Sequence, residues 1–264
     1  MKKILSDKGC WIDKLEKQLA GIYNRFWIGY DQNTIQVDIK RHAFNVTLVR
    51  SMFGPDITVC DIGGGWGAFS VACCLLEMKA ILIDDFQDAG FRKNDDPRYK
   101  LLKKYDVTVI NRDAVAEGLG FEASSVDVFT SFDSMEHWHN SPKRLFHQIA
   151  RALKKGGGLI LEVPNNANLR KRIEAILGKL DWSSMDDWYE SDTFRGHVRE
   201  PNIRDLRYIA HDMGLDDVKI FGRNWLGLYS GNQIVRAVTR LIDHPLRLFP
   251  SLCSNLYLVG RKKT

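Results

Sequence analysis

The chain has 264 residues, 44% of them hydrophobic and 27% charged, with a formal net charge of +5. These values are ordinary for a soluble globular protein and allow one large α/β domain with a lid or an extended terminus. The mildly basic balance suits phosphorylated or membrane-surface substrates but is too small and too scattered to require nucleic acid, so no DNA partner is expected. No apolar run approaches the roughly 18–20 residues of a membrane span, and Met1 to Ser6 carries no signal-peptide core, so cytoplasmic residence is expected. The five cysteines, Cys10, Cys60, Cys73, Cys74 and Cys253, form no CxxC pair and read as reduced, buried apolar residues.

In chain order, residues 7–51 read as helices, with Trp11, Leu15, Leu19 and Tyr23 at helical spacing and a second periodic run over 35–52. Phe26, Trp27 and Tyr30 between them read as core packing, with a cap over a ligand as the alternative. From residue 57, strand-like runs at 58–61, 80–84, 107–111, 126–131 and 159–163 alternate with helical runs at 68–77, 97–105 and 142–153. Such alternation predicts parallel strands joined by right-handed crossovers, hence an α/β, Rossmann-like, doubly wound sheet. A helix at 169–177, an aromatic stretch at 178–200 and a helix at 202–213 follow. Strands at 218–223 and 256–260, with a short helix at 234–242 between them, predict an antiparallel edge. The expected organisation is a single domain: a helical cap at 1–56, a cofactor-binding core at 57–165, a substrate-side insertion at 166–217, and terminal strands and helix at 218–264.

The chain is organised around the turn after the first strand, Asp61-Ile-Gly63-Gly-Gly65-Trp-Gly67-Ala68. Glycines let the backbone turn tightly and approach a ligand, and the next helix directs its unpaired N–H groups to the same place. The turn satisfies the dinucleotide pattern GxGxx(G/A) and also Asp-x-Gly-x-Gly-x-Gly. Asp84, ending the second strand, can accept two ribose hydroxyls in either case. Asp113 and Ala114 follow the third strand, where a side-chain acceptor and a neighbouring backbone N–H can read adenine. The segments Ser124 to His137 and Leu153 to Asn165 complete an ordered set over about residues 57–165. That set resembles class I S-adenosyl-L-methionine-dependent methyltransferases of the small-molecule type. Asp133 and Lys155 depart from the pattern, standing where many relatives carry Glu and Pro. The resemblance implies a seven-stranded sheet with a reversed terminal strand at 256–260, S-adenosyl-L-methionine as cofactor, and Asp61, Gly63, Gly65, Gly67, Asp84, Asp113, Ala114 and Ser131 as its contacts.

Methyl transfer from a sulfonium is an in-line displacement that needs alignment and, for a hydroxyl acceptor, a base. His137 immediately follows the fourth strand, at the carboxyl edge where open α/β sheets bind ligands, and His197 lies in the aromatic stretch; either suits the base. Packing or helix capping is the plain alternative for His137. Asp133, Glu136 and His137 would share one face if helical. They resemble the Asp/Glu-x-x-Glu-His metal site of ubiquinone-pathway O-methyltransferases and small-RNA 3′-end methyltransferases, in which a divalent ion binds the acceptor hydroxyls, but three adjacent residues rarely complete a site and no metal is expected here.

The stretch 178–200 holds Tyr189, Arg195 and Arg199 as candidate substrate contacts, aromatic faces for sugar or other planar rings and guanidinium forks for phosphate or carboxylate. Its Gly196-His197-Val-Arg199-Glu200 segment looks like a feature of bacterial methyltransferases from polysaccharide and glycolipid pathways. Arg236, Arg240 and Arg247 interleave with Ile234, Val235, Val238, Leu241, Ile242, Leu246 and Phe249. That segment reads either as a helix docked on the sheet with its arginines solvated or as a contact with a membrane carrying a lipid-linked substrate. The expected activity is methyl transfer to a hydroxyl of a sugar, glycolipid or other small molecule. A quinone-type phenol, an amino-sugar nitrogen, an RNA 3′ end and a catalytically inactive cofactor-binding module remain as alternatives. Ser131-Phe-Asp-Ser after strand four lacks the Asp/Asn-Pro-Pro-aromatic segment of nucleic-acid amino-base methylation.

Overall fold

In the computed structural model the described residues are 8–26, 30–87, 96–181 and 183–264. The side chains of Cys10, Trp11 and Phe26, and all of Trp27 and Trp182, lie outside them. The chain divides into two compact units, residues 1–112 and 113–264.

The first unit opens with α1 (Lys8–Phe26) and α2 (Gln32–Phe53). Asp31 starts α2 by accepting the N–H groups of Asn33 (2.9 Å) and Thr34 (3.1 Å). Gly54 stops it in a left-handed conformation (φ 88°) that side chains disfavour. Leu15, Leu19 and Tyr23 of α1 and Ile35, Ile39, Val46 and Val49 of α2 are buried, as helical spacing predicts. Tyr30 departs from the core reading: it is 46% exposed. Then come β1 (Thr58–Ile62), α3 (Ala68–Leu75), β2 (Lys79–Asp84), α4 (Pro97–Lys104) and β3 (Thr108–Asn111). β1, β2 and β3 pair in parallel. Asp96 caps α4 by accepting Arg98 N–H (2.9 Å), and Pro97 sits at its first position, where no N–H is needed.

The second unit contains β4 (Val126–Phe132), α5 (Lys143–Ala152), β5 (Leu153–Pro164), α6 (Leu169–Ile176), α7 (Met185–Tyr189), α8 (Ile203–Asp212), β6 (Leu215–Arg223), α9 (Trp225–Tyr229), α10 (Gln233–Leu246) and β7 (Asn255–Lys262). β4 and β5 run parallel, whereas β7 pairs antiparallel with both β5 and β6. The strand order is β3-β2-β1-β4-β5-β7-β6, the seven-stranded Rossmann-like sheet with a reversed last strand. β5 begins six residues before the predicted 159. Gly157 explains the extension, because a Cβ there would run into the Asp127 carbonyl of β4, so its absence lets the strand close on its neighbour. Cys60, Cys73 and Cys253 are buried free thiols, and burial pushes Cys60 and Cys73 well above the usual thiol range.

Two segments differ from expectation. Within 178–200 a short helix, α7, forms because the Ser184 hydroxyl caps it at Asp187 N–H (3.0 Å). α10 does not dock by its apolar face: Thr239 is its buried residue, while Ile234, Val238 and Leu241 are exposed. No helix among the described residues is long and apolar enough to cross a membrane.

Candidate functional site

In the first unit, the turn between β1 and α3 places Gly63, Gly65 and Gly67 at φ 67°, 49° and 74°. It is closed by Gly63 N–H to the Ile83 carbonyl (2.8 Å) and Gly67 N–H to the Gly64 carbonyl (2.9 Å). Gly64 has no room for a side chain, since a Cβ would meet the Asp61 carboxylate and stand 2.6 Å from Leu82 Cδ1. Asp61 is itself buried beneath the turn. Asp84 braces the loop from β2: its Oδ2 accepts Gly65 N–H (2.7 Å) and its Oδ1 accepts Phe86 N–H (2.8 Å). A carboxylate offers about four acceptor positions, so this bracing is compatible with ribose hydroxyls sharing the same group. The sequence reading missed the bracing role, although an acid at the end of β2 and beside β1 was its available signal. Arg98 of α4 lies over the Trp66 ring and pairs with Asp96, which fixes the indole at the rim of the turn. The bare backbone, left-handed residues and following helix N-terminus fit the phosphate-free, zwitterionic end of a nucleoside cofactor.

In the second unit, Asp113 forms a turn: Oδ1 accepts the N–H groups of Val115 and Ala116 (both 2.9 Å), and its own N–H donates to Glu117 Oε1 (3.0 Å). Ala114 within this turn is buried. Ser131, near the carboxyl end of β4, is buried with no hydrogen-bond partner for its Oγ among the described residues, an acceptor and donor that a bound ligand would satisfy.

The catalytic candidates converge. After β4 the chain passes through Asp133 at φ 46° and makes one 3-10 turn, Met135–His137. The conformation is therefore not the α-helix on which Asp133, Glu136 and His137 would share a face. The segment 195–199 is pinned onto this turn, since Glu136 O accepts the N–H groups of Val198 (2.7 Å) and Arg199 (3.2 Å). His137 Nδ1 meets the Arg195 carbonyl at 2.8 Å, and the His137 and His197 rings pack edge to face with centroids 4.9 Å apart. One carboxylate oxygen of Glu136 and one ring nitrogen each of His137 and His197 lie within 4.8 Å of one another, with His197 standing where the sequence expected Asp133. Gly196 permits the approach: a Cβ would stand 2.5 Å from the Phe194 ring and 2.6 Å from Ser183 Oγ.

Behind His197 lies a buried charge chain. Its Nδ1 contacts Glu200 Oε1 at 2.7 Å, and Glu200 Oε2 pairs with Lys171 of α6. Glu200 and Lys171 side chains are each 3% exposed. Burial acts to raise the Glu200 carboxyl, but hydrogen bonds from His197 and Lys171 and the lysine charge outweigh it and hold it below the usual carboxylate range. Glu200 is thus ionised at neutral pH and can only accept, so His197 carries its proton on Nδ1; the Arg195 carbonyl imposes the same tautomer on His137. In the neutral form of each ring the electron pair then lies on Nε2. Glu200 and Lys171 were not singled out from the sequence, although Glu200 is three residues beyond His197.

The expected substrate contacts differ in their surroundings. Tyr189 on α7 is 72% exposed, near Trp188. Arg195 is exposed and contributes its carbonyl to His137, while Arg199 reaches Asp205 at 3.4 Å.

A family model described as a methyltransferase domain matches residues 32–220. No curated protein matches the sequence. Among solved structures, the chain is similar to magnesium protoporphyrin IX methyltransferase from Synechocystis PCC 6803 with bound SAH, at 15% identity and a TM-score of 0.57 over 97% of this chain and 100% of that one. It is similar to an S-adenosylmethionine-dependent protein from Thermotoga maritima described as a possible histamine N-methyltransferase (16% identity, TM-score 0.54, 96% and 100% coverage). It is also similar to phosphoethanolamine N-methyltransferase 2 of Haemonchus contortus in complex with S-adenosyl-L-methionine (17% identity, TM-score 0.52, 84% and 53% coverage). At these identities the likeness is one of fold, and the acceptors named differ from one structure to the next.

Proposed function

The chain belongs to the methyltransferase-domain family and uses S-adenosylmethionine as methyl donor, and we propose that it passes the methyl group to a hydroxyl oxygen whose proton is removed at the His137–His197 pair. The observation that carries this reading is the His197 Nδ1 contact with the ionised Glu200 at 2.7 Å, which turns an Nε2 electron pair outward beside a second imidazole. S-adenosylmethionine supplies a methyl group already activated on a sulfonium, so the protein has to align the acceptor and take its proton. As the oxygen bonds to the methyl carbon and the carbon–sulfur bond opens, the hydroxyl proton passes to imidazole Nε2. Amine acceptors that are already neutral need no such base, which favours oxygen.

Asp61, the three-glycine turn and Asp84 are assigned to the donor in the first unit, with Asp84 sharing its carboxylate between Gly65 and the ribose. For the acceptor we favour a sugar or glycolipid: Trp188 and Tyr189 expose ring faces that suit sugar packing, and Arg195 is exposed near His137. The apolar and basic face of α10 supports peripheral contact with a membrane that carries such a substrate.

The test is incubation with isotopically labelled donor and a panel of glycans, glycolipids and phenols, with mass spectrometry locating the label. Oxygen methylation that falls about 100-fold or more in both His137→Ala and His197→Ala, with S-adenosylhomocysteine affinity unchanged, supports the reading. Label on nitrogen alone, or turnover indifferent to both substitutions, rejects it.

A further inference from the structure

We propose that the outer face of α5 forms a binding site for a small ligand that carries a diphosphate group. Arg144, His147, Gln148 and Arg151 recur at helical spacing and share one stripe of α5, while Leu145, Phe146, Ile149 and Ala152 are buried on the other side. With Ser141 and Lys143 they line an open cavity of about 700 Å³, within the range of small-molecule sites.

The two arginines are held in place without being neutralised. Arg144 donates an amino N–H to the Glu117 carbonyl (3.1 Å), Arg151 donates one to the Phe121 carbonyl (3.0 Å), and Gln148 Oε1 accepts Leu119 N–H (2.9 Å). Gly118 makes this closure possible: its φ is 87°, and a Cβ there would stand 2.8 Å from Gln148 Oε1 and 3.0 Å from Arg144 Nη2. A guanidinium carries five N–H donors, so a bond to one neutral carbonyl leaves its charge and most of its donors for a ligand. Arg98, Arg170 and Arg247 each meet a carboxylate instead. Among the described residues neither Arg144 nor Arg151 does so.

The charge of the groove selects an anion. Asp212 of α8 accepts from His147 Nε2 (2.8 Å) and lies 3.6 Å from Lys143 Nζ. Asp212 offsets Lys143, so Arg144 and Arg151 leave two positive charges with His147 neutral. Lys262 of β7 adds a cation at the far end, where its Nζ donates to the Arg151 carbonyl (3.2 Å). Residues seven apart on a helix are separated by about 10 Å along its axis, which suits two linked phosphates better than one, with each guanidinium fork taking the oxygens of one phosphate. A nucleic acid is less suited, because the net charge of +5 is small and the stripe extends over one 10-residue helix.

The experiment is calorimetric titration of the full chain at low salt with pyrophosphate, uridine diphosphate and inorganic phosphate. We expect one equivalent of pyrophosphate to bind at least 10-fold more tightly than inorganic phosphate. Uridine diphosphate binding more tightly than pyrophosphate would show that a nucleotide fills the cavity, and equal affinities would show that the diphosphate alone is read; both support the site. Arg144→Gln and Arg151→Gln should each weaken binding about 10-fold or more, the effect of losing a charge-assisted contact. Asp212→Asn should strengthen it several-fold by removing the opposing charge, a gain that a merely structural role would not give. Arg240→Gln on the exposed face of α10 removes the same charge elsewhere and should change nothing. S-adenosylhomocysteine affinity shows that each variant is folded; if the arginine variants lose it, the Asp212→Asn comparison decides. Absence of pyrophosphate binding in a wild-type chain that binds S-adenosylhomocysteine overturns the site, as does a loss in Arg240→Gln equal to that in the α5 variants. Inorganic phosphate binding as tightly as pyrophosphate, or a short single-stranded RNA binding through Arg144 and Arg151 more tightly than uridine diphosphate, overturns the assignment of the ligand.

Discussion

The rings of His137 and His197 stand edge to face with centroids 4.9 Å apart, and the second is held from behind by Glu200, whose carboxylate is shared with Lys171. The buried pair makes the segment around His197 depend on α6. Lys171→Met leaves the Glu200 charge buried with only the imidazole to meet it, and loss of one partner of a buried pair costs about 3–5 kcal/mol. The double substitution Lys171→Met with Glu200→Leu removes both charges and is expected to recover most of that loss while leaving His197 without its acceptor. Urea denaturation midpoints of the two variants check this: equal destabilisation by the single and double changes would show that the pair is not the source.

Gly64 makes the cofactor turn equally exacting. A methyl group there would collide with the Asp61 carboxylate and with Leu82 Cδ1 at 2.6 Å, both in buried strands that cannot yield cheaply. Gly64→Ala is expected to weaken S-adenosylhomocysteine binding at least 10-fold by calorimetry. Gly21→Ala on α1, where a Cβ meets nothing within 4 Å, serves as the neutral comparison. A Gly64→Ala chain that binds as well as wild type would mean that the turn is not shaped for the cofactor.

These two sites differ in how far the sequence revealed them. The glycine turn is local: Asp61 to Ala68 is one contiguous piece, strand and helix periodicity place it, and the parallel β1–β2 pairing brings Asp84 beside it. The His137–His197 contact is not local. It depends on Val198 and Arg199 bonding to the backbone of Glu136, and on Gly196 fitting against Phe194, neither of which leaves a periodic trace. Spacing alone favoured Asp133 as the neighbour of Glu136 and His137, but that expectation assumed a helix, and the φ of 46° at Asp133 with a single 3-10 turn takes another course. The apolar spacing of α10 admits two readings for a similar reason. Periodicity identifies a face without saying what covers it.

A pH dependence arises in α2. Burial, with a smaller contribution from the Arg41 charge, pushes the His42 imidazole down to about 3 from an ordinary value of 6.5. Between those values the unfolded chain binds a proton that the folded chain does not, so stability falls as pH drops below about 6.5 and the loss stops growing near 3. The limiting slope is about 1.4 kcal/mol per pH unit. Nδ1 is shut off from water but the ring as a whole is only half-buried, so about half of that slope is expected. His42→Phe should flatten the fall in urea midpoint between pH 7 and 5, and an unchanged profile would place the acid sensitivity elsewhere.

The exposed face of α10 yields the last prediction. Ile234 and Leu241 are 73% and 79% exposed, and Arg240 is exposed beside them, while Arg236 is tied to the carbonyls of Ser230 and Gly231 and Arg247 to Asp243. A helix with solvated leucine and isoleucine on one side and arginine alongside gains by lying in an anionic lipid surface, where apolar burial and charge attraction add. The full chain is therefore expected to sediment with vesicles containing phosphatidylglycerol and much less with neutral phosphatidylcholine vesicles. Leu241→Asp should reduce sedimentation several-fold, and raising the salt concentration should reduce it further because the electrostatic part is screened. Methylation of a water-soluble acceptor should be unaltered in that variant, since the Leu241 side chain is 79% exposed on α10. Recovery of the wild-type chain in the supernatant with both vesicle types would show that the apolar face of α10 serves something other than a membrane.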